Sequence, residues 1–308
     1  MHVADLSAWL TARFAGQWSA RELNSSGFCA TWRAESGDQR LFIKAVPVDE
    51  SDVLSAEVEG LRALAESQTI RVPAVVDCWL EPDGGTALLA MEWLELAVPD
   101  AGFAEKFGRA LALLHRATPQ QGAGRFGWLR QNRLGGSRQS NRWSQCGGRA
   151  GWIEFFREQR LRQMHDAALR KSASRELLDA VDDVIECMPA LFDADGHVPR
   201  PSLIHGDLWS GNWGMLADGT PVIYDPAVSC SDAEAELAMM ELFGSPPPGF
   251  WPAYRDVTGM AAGYASRRAL YQLYHLLNHV VLFGAGYEAQ ALDRAQAILR
   301  SRTLRLSW

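Results

Sequence analysis

One stretch constrains this 308-residue chain more than any other: Leu203-Ile204-His205-Gly206-Asp207-Leu208-Trp209-Ser210-Gly211-Asn212. An apolar pair runs into His-Gly-Asp, and five positions after the Asp comes an Asn. Thirteen positions beyond that Asn stands a second Asp, in Val222-Ile223-Tyr224-Asp225-Pro226. Between them Asp218-Gly219 is flanked by Trp213, Met215, Val222 and Ile223. Asp-Gly between apolar runs signals a hairpin. The pattern predicts a loop carrying Asp207 and Asn212, a β-hairpin, and a carboxylate at the end of its second strand. Turns attract Asp and Asn for their own reasons, so the plain alternative is a capped hairpin without chemistry.

The same order of groups suits phosphoryl transfer. One Asp accepts a hydroxyl proton, while an Asn and a second Asp hold magnesium against the phosphates of ATP. Here His-Gly-Asp stands for His-Arg-Asp, and Asp-Pro-Ala for Asp-Phe-Gly. Two residues upstream extend the pattern. Lys44 stands inside the strand-like run Leu41-Phe42-Ile43-Lys44-Ala45-Val46, in a chain with three lysines among 30 basic residues. A lysine on an edge strand can snorkel; a lysine on a third strand can hold phosphates. Ser51 to Ser67 has a helical period, with Leu54, Val58, Leu61 and Ala65 on one stripe. Glu57 falls on that stripe and Glu59 points away from it. An inward carboxylate needs a cation, and Lys44 is the natural partner.

The chain is long enough for two packed lobes, and 47% of it is hydrophobic. A net charge of −7 argues against nucleic acid as the main partner. Arginines crowd Arg125 to Arg175 and Arg294 to Arg305, as solvated helix faces do. The five cysteines, Cys29, Cys78, Cys146, Cys187 and Cys230, have neither metal spacing nor an even count. Reduced thiols in a cytoplasm are expected. The start Met1-His2-Val3-Ala4-Asp5 lacks the features of a signal peptide. The apolar stretch Ala269 to Gly286 contains Gln272, His275, Asn278 and His279, so it predicts a buried helix and no membrane span.

Along the chain, a helix is expected at Ser7 to Phe14, and strands at Trp18 to Leu23, Phe28 to Ala34 and Arg40 to Val46. After the Ser51–Ser67 helix come strands at Val75 to Glu81 and Thr86 to Glu92. The rest is mostly helical: Phe103 to Ala117, Trp152 to Leu169, Arg175 to Phe192, a helix from Ser231, then Ala265 to Phe283 and Glu288 to Leu304. His115 is expected as a cap or core residue. Gly122 to Gly151 reads as one long loop. Ser231 and Glu234 match a capping box; an orienting role for Glu234 toward the catalytic loop is the second reading. The expected architecture is α+β: a two-lobed, protein-kinase-like fold with a small lobe of antiparallel sheet plus helix, and a large, mainly helical lobe. Its divisions fall at 1–91 (nucleotide-binding lobe), 92–95 (hinge) and 96–308 (catalytic and acceptor lobe). Met91-Glu92-Trp93-Leu94 would then present backbone groups to adenine.

Together these residues resemble the fructosamine kinase (ketosamine-3-kinase) family, relatives of aminoglycoside and choline kinases. The match begins with His205-Gly206-Asp207 and Tyr224-Asp225-Pro226-Ala227, and its narrowest signals are Trp209-Ser210-Gly211-Asn212 and Asn278-His279 followed by Leu282-Phe283-Gly284. Glu241-Leu242-Phe243-Gly244 and Phe250-Trp251-Pro252-Ala253-Tyr254 extend the match over nearly the whole chain. The resemblance implies transfer of the γ-phosphoryl group of ATP to the 3-hydroxyl of a ketosamine, carried by a small amine or a glycated protein lysine, in deglycation repair. It implies Asp207 as catalytic base, Asn212 and Asp225 as magnesium ligands, Lys44 on the phosphates, Glu57 orienting it, and Trp209 walling the sugar. It leaves open fructosyl, ribulosyl and erythrulosyl sugars, and it assigns no oligomeric state. The chain departs from the family in three places. Gly27 stands alone where paired glycines are expected in the nucleotide loop. Val228-Ser229-Cys230-Ser231 replaces an aromatic pair and Gly. Glu236 replaces an Asp. Cys29, just after Gly27, is a candidate redox thiol or an inert strand thiol. The acidic residues Asp232, Glu234, Glu236 and Glu241 keep an aminoglycoside or amino-alcohol acceptor as the alternative. A nucleotide-binding pseudokinase scaffold is the third reading.

Overall fold

The computed structural model describes residues 3–24, 28–81, 84–117, 121–193, 197–259 and 263–306. Its first lobe is an antiparallel sheet between two helices. The strands are β1 (Ser19–Asn24), β2 (Ala30–Ser36), β3 (Gln39–Pro47), β4 (Val75–Leu80) and β5 (Thr86–Glu92), in the order β1-β2-β3-β5-β4. Helix α1 (Val3–Arg13) covers one face and α2 (Asp52–Glu66) the other. Strand alternation sorts the side chains. Leu41, Ile43 and Ala45 join Leu6 and Leu10 on the α1 side, whereas Val46 joins Leu54, Leu61 and Leu64 on the α2 side. Lys44 shares the parity of Val46, so it enters the α2 face. In register it lies opposite Thr31 on β2 and Leu89 on β5.

After β5 the chain enters the second lobe. A short strand β6 (Leu96–Ala97) precedes α3 (Phe103–Arg116). The region expected as one long loop holds a hairpin, β7 (Asn132–Leu134) and β8 (Ser137–Gln139), and much of it is buried. Its polar side chains satisfy one another: Gln139 Nε2 and Asn141 Nδ2 both donate to Asn132 Oδ1, at 2.8 and 3.0 Å. Composition concealed this, because the burial is polar rather than apolar. The next helix begins earlier than expected, as α4 (Gly148–Phe156). It continues into α5 (Arg162–Arg170) through a π-turn over 157–161. Three consecutive residues of that turn, Gln159, Arg160 and Leu161, are buried. Helix α6 (Arg175–Asp193) completes this layer.

Strand β9 (Ser202–Ile204), the hairpin β10 (Trp213–Leu216) and β11 (Pro221–Ile223), and β12 (Ser229–Ser231) frame the site. Helix α7 (Ala233–Met240) follows. Its N-cap is Asp232, whose carboxylate accepts from Glu234 N at 3.3 Å; Ser231, the expected cap, lies in β12. Helix α8 (Phe250–Thr258) lies in a region where no helix was expected, masked by the proline run ahead of it. Helices α9 (Tyr264–Phe283) and α10 (Glu288–Leu306) close the chain. Among the described residues, no helix is long and apolar enough to cross a membrane.

Candidate active site

Two strand pairings build the site. β12 pairs with β9, setting Ser229 opposite Ile204, and Ala227 N donates to His205 O at 2.8 Å. β10 pairs with β11, setting Trp213 opposite Ile223, and Tyr224 N donates to Asn212 O at 3.1 Å. The Asp218-Gly219 turn is as expected: Gly219 takes φ +82° and Thr220 N donates to Asp218 Oδ1 at 2.9 Å. Asn212 and Asp225 therefore emerge side by side from the two ends of one hairpin, next to the loop bearing Asp207.

The loop is held from below. Glu236 accepts from His205 N at 2.9 Å and from Gly206 N at 2.7 Å, and it meets His115 Nε2 at 3.1 Å. His115 Nδ1 in turn contacts the Tyr254 hydroxyl at 2.7 Å. His205 is fully buried; Nε2 donates to Tyr224 O at 2.8 Å and Nδ1 accepts from Asp207 N at 3.3 Å. Burial lowers its pKa and keeps the ring neutral, as that hydrogen-bond pattern requires. Gly206 has φ +86°, and a Cβ there would fall 2.1 Å from the Ala227 carbonyl oxygen. Glu236 thus has the orienting place that the sequence offered to Glu234. Glu234 instead forms a buried ion pair with Arg267, Oε2 to Nε 2.6 Å and Oε1 to Nη2 2.8 Å. With two carboxylates in α7, no local signal separates Glu236 from Glu234.

Lys44 is 7% exposed, with Nζ 2.7 Å from Glu57 Oε1 and 2.8 Å from Asp225 Oδ1. Glu57 points inward as its position on the stripe predicted. Burial opposes the lysine's charge, but the two carboxylates more than offset it and raise its pKa. For Asp225 burial pushes the pKa up, and the Lys44 charge and hydrogen bond bring it below the ordinary value. Asp225 also adopts φ +60°, uncommon for a non-glycine residue. Asp207 is pushed up to about 7, first by burial and then by Asp225 and Glu236, with the Asn212 hydrogen bond opposing. Asn212 Nδ2 donates to Asp207 O at 2.7 Å, leaving its amide oxygen as the group offered to a cation. One carboxylate and one amide oxygen suit magnesium, which binds few protein oxygens and takes the rest from phosphates and water. Lys44 keeps the Asp225 carboxylate ionised, as a metal ligand must be, so the donor set fits.

The hinge expectation falls on a cavity of about 400 Å³ lined by Phe42, Met91, Trp93, Leu94, Tyr224 and Asp225, among others. That volume suits a small ligand. Glu92 also lines the cavity, and its carboxylate is engaged by Arg71 and, at 3.0 Å, by Ala74 N. The Trp93 ring lies beneath the Arg33 guanidinium at 4.8 Å. A larger cleft of about 600 Å³, lined by Glu59, Arg62 and Trp128, contains none of the expected site residues. Trp209 is 41% exposed with its ring over Gly211, so it is no core aromatic. Gly27 lies outside the described residues. Burial pushes the Cys29 thiol up to about 11, and its sulfur lies 3.3 Å from Ala45 O. A protonated, sequestered thiol is the environment of an inert cysteine.

An antiparallel first lobe, a helical second lobe, and a lysine and three polar oxygen-bearing residues meeting between them define a kinase-like phosphotransferase. The fructosamine kinase family model matches residues 4–301, and the chain belongs to that family. It is 37% identical over 276 residues to a protein of Synechocystis sp. named probable ketoamine kinase, covering 90% of this chain and 87% of the relative. It is 35% identical over 248 residues to the protein-ribulosamine 3-kinase, chloroplastic, of Oryza sativa subsp. indica, covering 80% and 69%. A structure from Thermobifida fusca YX-ER1 described as a fructosamine-3-kinase aligns with TM-score 0.80 and 33% identity, over 97% of this chain and 100% of that one. The aminoglycoside phosphotransferase APH(4)-Ia shares the fold alone, at TM-score 0.64 and 15% identity over 97% and 99%.

Proposed function

We propose that this chain transfers the γ-phosphoryl group of ATP to the 3-hydroxyl of ketosamines, on small amines or glycated protein lysines, in a cytoplasmic deglycation repair. Asp207 takes the proton of the acceptor hydroxyl, whose oxygen forms the new P–O bond as the bond to ADP breaks. The products are ADP and the ketosamine 3-phosphate, whose decomposition frees the amine. Lys44, oriented by Glu57, holds the phosphates. Asn212 and Asp225 would hold magnesium, which neutralises charge developing on the phosphates. Backbone groups of residues 92–94 receive the adenine, and Trp209 walls the sugar.

One observation carries the choice of acceptor. The acidic residues that would attract a polycationic aminoglycoside are engaged within the lobe. Glu234 is paired with Arg267 and Glu241 with Arg268. Glu236 accepts from the loop amides, and Asp232 accepts from the Tyr271 hydroxyl at 2.6 Å. Each of the four carboxylates therefore has partners inside the lobe, two of them arginines, which argues against their serving as the lining of an anionic acceptor pocket. The test is a coupled ADP-release assay with magnesium, ATP and a panel of ketosamines, aminoglycosides and amino alcohols. Turnover confined to ketosamines is expected, falling by roughly 10²–10⁴-fold in Asp207→Asn. Turnover on aminoglycosides alone would overturn the acceptor assignment. Binding of ATP without turnover on any acceptor would favour a pseudokinase.

A further inference from the structure

The segment from Arg130 to Gly136 ties the lobes together away from the hinge. Arg130 Nε lies 2.8 Å from Glu59 Oε2 on the outer face of α2. The Arg133 guanidinium lies 3.9 Å from Glu50 Oε1 and 3.8 Å from Asp52 Oδ1, where α2 begins. At the β7–β8 turn, Phe28 of the first lobe rests on Gly135-Gly136. A Cβ at Gly136 would fall 2.2 Å from Phe28 Cε1 and 2.6 Å from Cδ1. One at Gly135 would lie 3.3 Å from Phe28 Cε2 and 3.2 Å from Leu282 Cδ1 on α9. Phe28 is 53% exposed and belongs to none of the three apolar cores. Its ring is therefore not a core filler; its defined contact is the glycine pair of the other lobe.

The hairpin beneath it is anchored. Tyr274 of α9 donates to Gln139 Oε1 at 2.6 Å, and Asn278 Nδ2 donates to Leu134 O at 3.3 Å. Asn132 Nδ2 donates to Val228 O at 2.9 Å, three residues beyond Asp225. On the other side, Phe28 leads directly into β2, where Thr31 is the register partner of Lys44. A continuous path of contacts thus runs from α9 through the hairpin and Phe28 to the strands that carry Lys44.

We propose that Phe28, Gly135 and Gly136 are positioning residues: their contact sets β2 and β3, and with them Lys44, over the catalytic loop, and so sets nucleotide affinity. This goes beyond the ketosamine reading and does not depend on which acceptor is used. The test measures AMP-PNP and magnesium binding by calorimetry in the full chain, in Phe28→Ala, Gly136→Val and the double variant, with Tm alongside. Gly136 is not among the positive-φ glycines, so valine is not barred by the backbone. Gly136→Val should weaken binding roughly tenfold and Phe28→Ala roughly threefold. The double variant should bind no worse than Phe28→Ala, because the three atoms nearest to a Cβ at Gly136 all belong to the ring that has been removed. Wild-type affinity in Gly136→Val, a lowered Tm with unchanged affinity, or losses that multiply in the double variant would each overturn the proposal. Should the valine prevent folding, Gly136→Ala introduces the same close contact and carries the same comparison.

Discussion

Gly206 and Asp225 hold the left-handed backbone of the site. At Gly206 both reasons for glycine coincide, a positive φ and a carbonyl 2.1 Å from where a Cβ would sit. Gly206→Ala should displace Asp207 and cost roughly 10²-fold in kcat, with a lowered Tm by scanning calorimetry. Asp225 has no such excuse at φ +60°. Its strain, of order 1 kcal/mol or more, is retained where the side chain must face Lys44. Another residue contributes to stability against acid. Burial, with the charges of His279 and Arg160, pushes His275 down to about 3. The unfolded chain takes up a proton near pH 6.5 that the folded chain refuses until about 3. Stability is therefore full above pH 6.5 and falls through that window as acid is added. Between pH 7 and 5 this group should contribute a loss of about 2 kcal/mol. Urea unfolding at both pH values should show a smaller loss in His275→Gln.

Among the elements, α7 has the most to lose from one atom exchange. It enters the lobe with Glu234 and Glu236 buried, one bound to Arg267 on α9 and the other to the catalytic loop. Arg267 is fully buried. Glu234→Gln would remove the negative charge facing its guanidinium and should destabilise by about 3–5 kcal/mol, read as a shift in the urea midpoint. Replacing both partners, Glu234→Leu with Arg267→Met, should recover much of that loss. The β7–β8 region teaches the converse. Its Gly, Arg, Asn and Gln residues lack periodicity because its order comes from side-chain amides bonding one another and from contacts with two lobes.

At the scale of the molecule, the proposed nucleotide site is the space between two lobes and belongs to neither. Lys44 and Glu57 come from the first; Asp207, Asn212 and Asp225 come from the second. A ligand bridging them stabilises only the assembled form. ATP with magnesium at about 100 times its Kd should add roughly 2.7 kcal/mol, seen as a rise in Tm. Chelating the metal, or Asp225→Ala, should remove most of that rise while leaving the ligand-free Tm within a few degrees.

What this sequence determined alone was whatever short-range spacing encodes. His205 to Asn212 and the Asp-Gly turn fit a loop and hairpin. The parity of Lys44 on β3 and the phase of Glu57 on α2 follow from periods of about 2 and 3.6 residues. The small lobe, the helical remainder and the family were legible for that reason. Other features had no local signal. The exchange of roles between Glu234 and Glu236 depends on which carboxylate faces the loop amides and which faces an arginine 33 residues away in Glu234's case. The engagement of His115 under the catalytic loop spans 121 residues to Glu236. The seat of Phe28 on Gly136 joins residues of two lobes that are far apart in sequence. Those choices rest on desolvation and packing between distant segments, and only the tertiary structure decides them.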